Sequence, residues 1–204
     1  MKFAAFAIVT VALLAGCTPV ASPTATPTPA SSSTAEPSAL PTDDAPDPTD
    51  PSTWVIESAA VGPIALGDAA ADAADALTSY GRGEALGDCP VIFLDAPGLP
   101  GVVLSPGSDG AIEAITITSK SAGMPQDPTV LADASPRTSE GVGIGSTRDE
   151  LVAALPDAEI VRDDPASVVY RTGSASPYRL FVVESDRVVA ITVSYADAIP
   201  REFC

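Results

Sequence analysis

The sequence predicts an α+β domain made of two tandem α-β-β-β repeats with antiparallel sheets, following a disordered stalk. Three observations predict this. Blocks of similar sequence recur at an offset of 78 residues, short β-branched runs end at Gly, Pro, Asp and Ser, and a Pro-, Thr-, Ser- and Ala-rich stretch precedes them all.

The chain opens with Met1-Lys2, an apolar run from Phe3 to Leu14, and the small residues Ala15-Gly16 before Cys17. A run of this length is shorter than the roughly 20 apolar residues that cross a bilayer, so residues 1–16 read as a signal peptide removed on export. Leu14-Ala15-Gly16-Cys17 resembles the bacterial lipobox, and that resemblance implies a lipidated Cys17 at the mature N-terminus. The implied location is the outer face of the cytoplasmic membrane, held there by the lipid.

Residues 17–52 read as the tether. The stretch from Thr18 to Ser52 holds nine prolines and five acids (Glu36, Asp43, Asp44, Asp47, Asp50), no base, and little else but Ser, Thr and Ala. Such a composition buries no core and favours extended chain at about 3.1 Å per residue, a composition also found in O-glycosylated stalks. The aspartates lack the glycine and terminal glutamate of a calcium loop.

The first repeat is expected over residues 53–130 and the second over 131–204. Trp54-Val55-Ile56 reads as a first strand with Trp54 as an apolar plug. Ile64-Ala65-Leu66-Gly67-Asp68 and the following Ala-rich run align with Val142-Gly143-Ile144-Gly145-Ser146 and the run to Leu155. In the first copy Asp68 is the expected cap of a helix reaching about Ser79 and closed by Gly81 and Gly83. In the second, Ser146 with Asp149 or Thr147 with Glu150 fits a capping box, Leu151, Ala154 and Leu155 make the apolar stripe, and Pro156 ends the helix.

Three strands are expected after each helix. Val91–Leu94 aligns with Val168–Arg171, Val102–Leu104 with Leu180–Val182, and Ser108–Thr118 with Ser185–Ser194, the last pair reached through turns at Asp109-Gly110 and Asp186-Arg187. Gly141-Val142-Gly143-Ile144-Gly145 matches no phosphate-loop spacing and reads as a lead-in strand.

The charge balance limits function. With 27 Asp+Glu against 10 Lys+Arg, the net charge is −17, and the bases are scattered, so a nucleic-acid partner is excluded on electrostatic grounds. The absence of histidine excludes Ser-His-Asp and Cys-His catalysis and histidine zinc sites. The acid pairs Asp149-Glu150 and Asp163-Asp164 read as solvated surface. Lys120, the one lysine beyond the signal, sits directly beside Ser119, and neighbours on a strand face opposite sides. No enzymatic activity, metal or cofactor is expected.

Two cysteines remain after Cys17. In an oxidising compartment Cys89 and Cys204 are expected to pair, closing a loop of roughly 115 residues with an entropic stabilisation of about 4 to 5 kcal/mol.

The helix lead-in Gly143-Ile144-Gly145-Ser146-Thr147-Arg148-Asp149-Glu150-Leu151, followed by a small sheet and duplicated, resembles the tandem architecture of the β-lactamase inhibitor protein family. It resembles more loosely the small lipoproteins of outer-membrane assembly. With the lipobox, the stalk and the ending Arg201-Glu202-Phe203-Cys204, the chain also resembles uncharacterised lipoproteins of high-GC Gram-positive bacteria. The likeness spans Gly62 to Cys204. In the inhibitor family the disulfides lie within repeats, whereas a Cys89–Cys204 bridge joins the two, so no binding face is carried over.

These features lead to the expectation of a non-catalytic protein-binding module with an envelope or secreted protein partner. The alternative is a small-ligand-binding or sensor domain. Tyr170 and Tyr178 are expected on the outer face of the sheet.

Overall fold

Where Ile, Val and Thr alternate, the chain forms long central strands; where charge or glycine interrupts, the strands are short or lie at an edge. The computed structural model describes residues 46–83, 90–121 and 124–199, all within one compact unit of the chain. A 3₁₀ turn at Pro51–Thr53 leads into β1 (Val55–Ile56), β2 (Ala60–Val61), β3 (Ile64–Ala65) and helix α1 (Ala70–Ala76). Then come β4 (Gly81–Arg82), β5 (Ile92–Asp95), β6 (Gly101–Pro106), β7 (Ile112–Thr118), β8 (Lys120–Ser121), β9 (Met124–Pro125) and β10 (Arg137–Thr138). Helix α2 (Arg148–Ala154) precedes β11 (Glu159–Asp164), β12 (Ser167–Thr172), β13 (Tyr178–Glu184) and β14 (Arg187–Ser194).

The expected α+β class is observed, with antiparallel sheets predominating over two helices among the described residues. An eight-stranded antiparallel sheet runs β11-β12-β13-β14-β7-β6-β5-β4. A four-stranded sheet runs β10-β1-β2-β3, in which β1 and β10 pair in parallel.

Each helix is followed by four strands of the large sheet rather than three. The added ones, β4 and β11, form its two edges. Neither carries an alternating apolar pattern, because an edge strand is held by the backbone ladder on one side and faces water on the other.

One face of the large sheet makes the core. Ile115 and Ile117 of β7 stand opposite Val193 and Ile191 of β14, and all four pack with Leu77 and Ala74 from the α1 side and Leu151 and Leu155 from the α2 side. Leu104, Ile115, Leu151, Phe181 and Val193 are completely buried, and truncating any of them to alanine costs about 2 to 5 kcal/mol. Trp54 is buried as expected: its indole N–H donates to the Asp47 carbonyl at 2.6 Å, and its ring lies 6.3 Å from that of Tyr80. Tyr80 is itself buried and donates to the Pro100 carbonyl.

The segments leading into the two helices use matching backbone bonds. Gly67 N–H donates to the Ile112 carbonyl and Ile112 N–H to that of Asp68, each at 2.9 Å. Gly145 N–H donates to the Val188 carbonyl at 2.9 Å, and Val188 N–H to that of Ser146 at 2.8 Å. Gly67 and Gly145 have φ of 90° and 86°, a region in which a side chain is strained.

Three local expectations are corrected. Asp68 does not cap α1: its carboxylate accepts from Ala65 N–H at 2.8 Å and closes the turn before the helix, leaving Ala69 as an N-cap without a side-chain bond. That helix stops at Ala76, and Gly81 begins β4 instead of ending α1. Tyr170 is 5% exposed in the core, because its register opposite Phe181 turns it toward the helices, whereas Tyr178 lies on the outer face.

At the start of α2 the structure selects Thr147 with Glu150 as the capping box. Ser146 Oγ accepts instead from Gly143 N–H.

Candidate functional site

The start of the second helix borders a cleft of about 620 Å³ between β10, α2 and the first residues of β14. Arg137 comes from β10, Glu150 from the first turn of α2, and Arg187 from the hairpin that joins β13 to β14. The hairpin turns through Ser185 and Asp186, both at positive φ, which puts Arg187 at the first position of β14 beside Thr147. Ala132, Val142, Ala153 and Ala154 supply small apolar walls.

The arginines are oriented by backbone carbonyls. Arg137 donates to Gly141 O and Ala132 O, both at 2.9 Å, and Arg187 donates to Gly145 O at 2.9 Å. Glu140, at the cleft rim, accepts from both terminal nitrogens of Arg179 at 3.1 and 3.4 Å. Burial is the largest single influence on the Glu140 carboxyl and on its own raises it; hydrogen bonds from Arg179, Thr138 and its own backbone, with the Arg179 charge, outweigh burial and hold it down at about 2. Glu150 is lowered by the Thr147 backbone and hydroxyl bonds first and by the charges of Arg187 and Arg137 after them. The arrangement holds two guanidiniums and one helix-capping carboxylate at a solvent-facing cleft.

A second surface lies at the sheet edge. No described strand pairs with the outer side of β11, where Ile160 is 55% and Val161 37% exposed, and Val152 of the preceding helix is 45% exposed. A bulge between Ile160 and Arg162 interrupts the ladder to β12.

The outer face of the large sheet is polar at one end. Arg171 stacks over the Tyr178 ring at 5.3 Å and pairs with Glu159 at 2.8 Å and Asp197 at 3.7 Å. Beyond β14 the chain turns onto this face, and Ala198 and Ile199 line a cavity of about 180 Å³ with Ser105, Thr116 and Thr192.

Cys17, Cys89 and Cys204 lie outside the described residues, as do Asp43 and Asp44. Asp47 and Asp50 are turn residues: Asp47 accepts from Thr49, and Asp50 caps the 3₁₀ turn. Among the described residues no group of three His, Cys, Asp or Glu stands together as a metal site. Lys120 pairs with Glu184 at 2.8 Å while Ser119 is buried beside it, so the two do point apart. Glu150 serves the capping box, and Asp164 pairs with Arg162 at 3.5 Å.

In the sequence Arg187 reads only as part of the Asp186-Arg187 turn, and Arg137 carries no signal of its own. They stand far apart in the chain with no motif between them, and only the return of β14 to the start of α2 brings them together.

No protein-family model and no curated protein matches the chain. It is similar to a solved structure described as a DUF4309 family protein (YjgB) from Bacillus subtilis subsp. subtilis str. 168, with 16% identity, a TM-score of 0.42, and coverage of 61% of this chain and 76% of that one.

Proposed function

We propose that the protein is an extracytoplasmic lipoprotein, anchored through Cys17 on the outer face of the cytoplasmic membrane, that acts as a non-catalytic protein-binding module. The observation that carries this reading is the β11 edge: a six-residue strand whose outer side pairs with no described strand, presenting Ile160 and Val161 to solvent. Open edges accept an extended segment of another chain, main-chain bonds supplying affinity and alternate side chains specificity. The bulge and the charges of Arg162 and Asp163 limit such pairing to a matched partner. The domain from Thr53 onward carries 22 acids against nine bases, so the partner is a basic or neutral envelope or secreted protein.

The test is affinity capture from envelope and secreted fractions with the full chain and with Ile160→Asp. A saturable partner retained by the parent and lost by the variant supports the edge. An empty capture, or equal retention, counts against it.

The two halves are tandem copies in this reading, each a helix with its following strands. What supports this is the matching pair of backbone bonds that Gly67 and Gly145 make to a central strand.

A Cys89–Cys204 bridge belongs to the same proposal. The register of β5 on β6 sets Ile92 opposite Leu104, so the chain leading into β5 runs beside Ser105, the residue that shares a cavity with Ile199. The five residues from Pro200 to Cys204 can span up to about 17 Å. Mass spectrometry of native protein after alkylation checks it, two labelled thiols being the contrary result.

The small-ligand reading is favoured by one observation, the cleft at Arg137 and Arg187, whose volume falls in the range of small-molecule sites.

A further inference from the structure

We propose that the cleft between β10, α2 and the start of β14 binds the carboxylate of a small monocarboxylic acid with a short apolar chain, Arg187 and Arg137 facing the anion. This rests on the small-ligand reading and is independent of the β11 edge.

Among the described bases, Arg82, Lys120, Arg162, Arg171 and Arg179 each pair with a carboxylate. Arg137, Arg148 and Arg187 have no described carboxylate within 4.0 Å, although acids outnumber bases more than two to one in the domain, and of these three Arg137 and Arg187 line one cleft. Their bonds to the Gly141, Ala132 and Gly145 carbonyls orient the guanidiniums without neutralising them. Arg187 uses only one of its five N–H groups in this way.

The fold does not require Arg187. The same backbone arrangement is built at α1, where Ala69 bridges to Ala111 just as Thr147 bridges to Arg187. Ala70 N–H donates to Gly110 O at 3.0 Å, and Arg148 N–H to Asp186 O at 3.1 Å. Alanine thus suffices where the second occurrence of the geometry has arginine. The cleft beside α1 is smaller, about 260 Å³, and its charged lining residues are Asp68 and Asp72. The two helix starts share a backbone, and only the cleft at α2 is lined by bases.

Glu140 is engaged by Arg179, Glu150 accepts Thr147 N–H at 2.7 Å, and both Glu150 and Asp127 feel the charge of Arg187, so the two guanidiniums already stand among carboxylates. Those carboxylates oppose a dianion and leave the two guanidiniums to a monoanion. Planar guanidinium matches carboxylate geometry. The walls are Ala132, Val142, Ala153 and Ala154, which suit a short aliphatic chain and offer few partners to a sugar. Either the free C-terminus of a small-residue peptide or a short organic acid meets this description.

The test is isothermal titration of the full chain in detergent micelles with N-acetyl-L-alanyl-L-alanine, its C-terminal carboxamide, butyrate and inorganic phosphate. The expected result is binding of at least one carboxylic acid, with at least tenfold weaker binding of the carboxamide. Preference for the peptide acid over butyrate identifies a peptide C-terminus as the source; equal binding identifies a short organic acid. Arg187→Ala should weaken binding at least tenfold and Arg187→Lys less, with unfolding midpoints measured for both so that misfolding is separated from lost recognition. Equal binding of acid and carboxamide, tighter binding of phosphate, or unchanged affinity in a folded Arg187→Ala variant would overturn the proposal. A neutral metabolite that binds independently of Arg187 would overturn the carboxylate site and leave the small-ligand reading standing, whereas no binding of any probe or metabolite sinks both.

Discussion

Thr116 and Thr192, 76 residues apart in sequence, stand directly opposite one another on β7 and β14 and share a buried hydrogen bond of 2.8 Å between their hydroxyls. They lie at the centre of a row that crosses six strands on the outer face: Arg171, Leu180, Thr192, Thr116, Val103 and Phe93. An aliphatic residue flanks the pair on each side, Leu180 beyond Thr192 and Val103 beyond Thr116. Each hydroxyl is satisfied by the other.

Because each hydroxyl depends on its counterpart, single substitution leaves a buried polar group alone. Thr116→Val and Thr192→Val should each destabilise by about 1 to 3 kcal/mol. The double variant should recover most of that loss, since two methyls replace two mutually bonded hydroxyls. A double-mutant cycle from urea unfolding of the full chain measures the coupling, and simple additivity of the two losses would contradict the pairing.

Gly62 lies at φ 54°, and a Cβ built there collides with the Trp54 indole. Gly62→Ala should therefore cost about 2 to 4 kcal/mol, combining backbone strain with displacement of a buried ring. Tryptophan fluorescence should shift to the red as the indole gains contact with water. An unshifted spectrum with parental stability would show that β1 and β2 tolerate the displacement.

The Glu140–Arg179 pair makes stability depend on acid. Glu140 has a folded value of about 2, depressed from 4.5, so its contribution is fully present above about pH 4.5 and is lost as pH falls through about 2. Allowing for solvent screening at its partly exposed position, the loss should be about 1 to 2 kcal/mol. Unfolding free energies measured from pH 5 to pH 2 in the parent and in Glu140→Gln should converge at the acid end, and parallel curves would contradict the assignment.

Much of the fold was legible because its signals are local. A glycine at positive φ before a capped helix is visible as Gly145-Ser146-Thr147 with Glu150 three residues beyond, and Asp109-Gly110 announces a hairpin by the same short-range chemistry. Gly67 and Gly145 each donate a backbone bond to a central strand at the start of a helix. Asp68 is ambiguous in sequence, because a carboxylate can serve either the helix or the preceding turn, and only the Ala65 N–H within reach decides which.

The α+β class, the Trp54 plug, the second helix with its cap and most of the central strands were written into the amino-acid order, since each follows from residue spacing over a few positions. Folding in three dimensions was needed to turn Tyr170 inward and Tyr178 outward, to make a strand of charged β11, and to set Arg137 and Arg187 on one cleft. Those outcomes depend on register and on which distant strand lies alongside. A shift of one residue in pairing exchanges the faces of a strand, and an edge strand is defined by its neighbour rather than by its own composition. The placing of the bases has the same origin, because Arg137 and Arg187 line one cleft only when strand pairing brings them together.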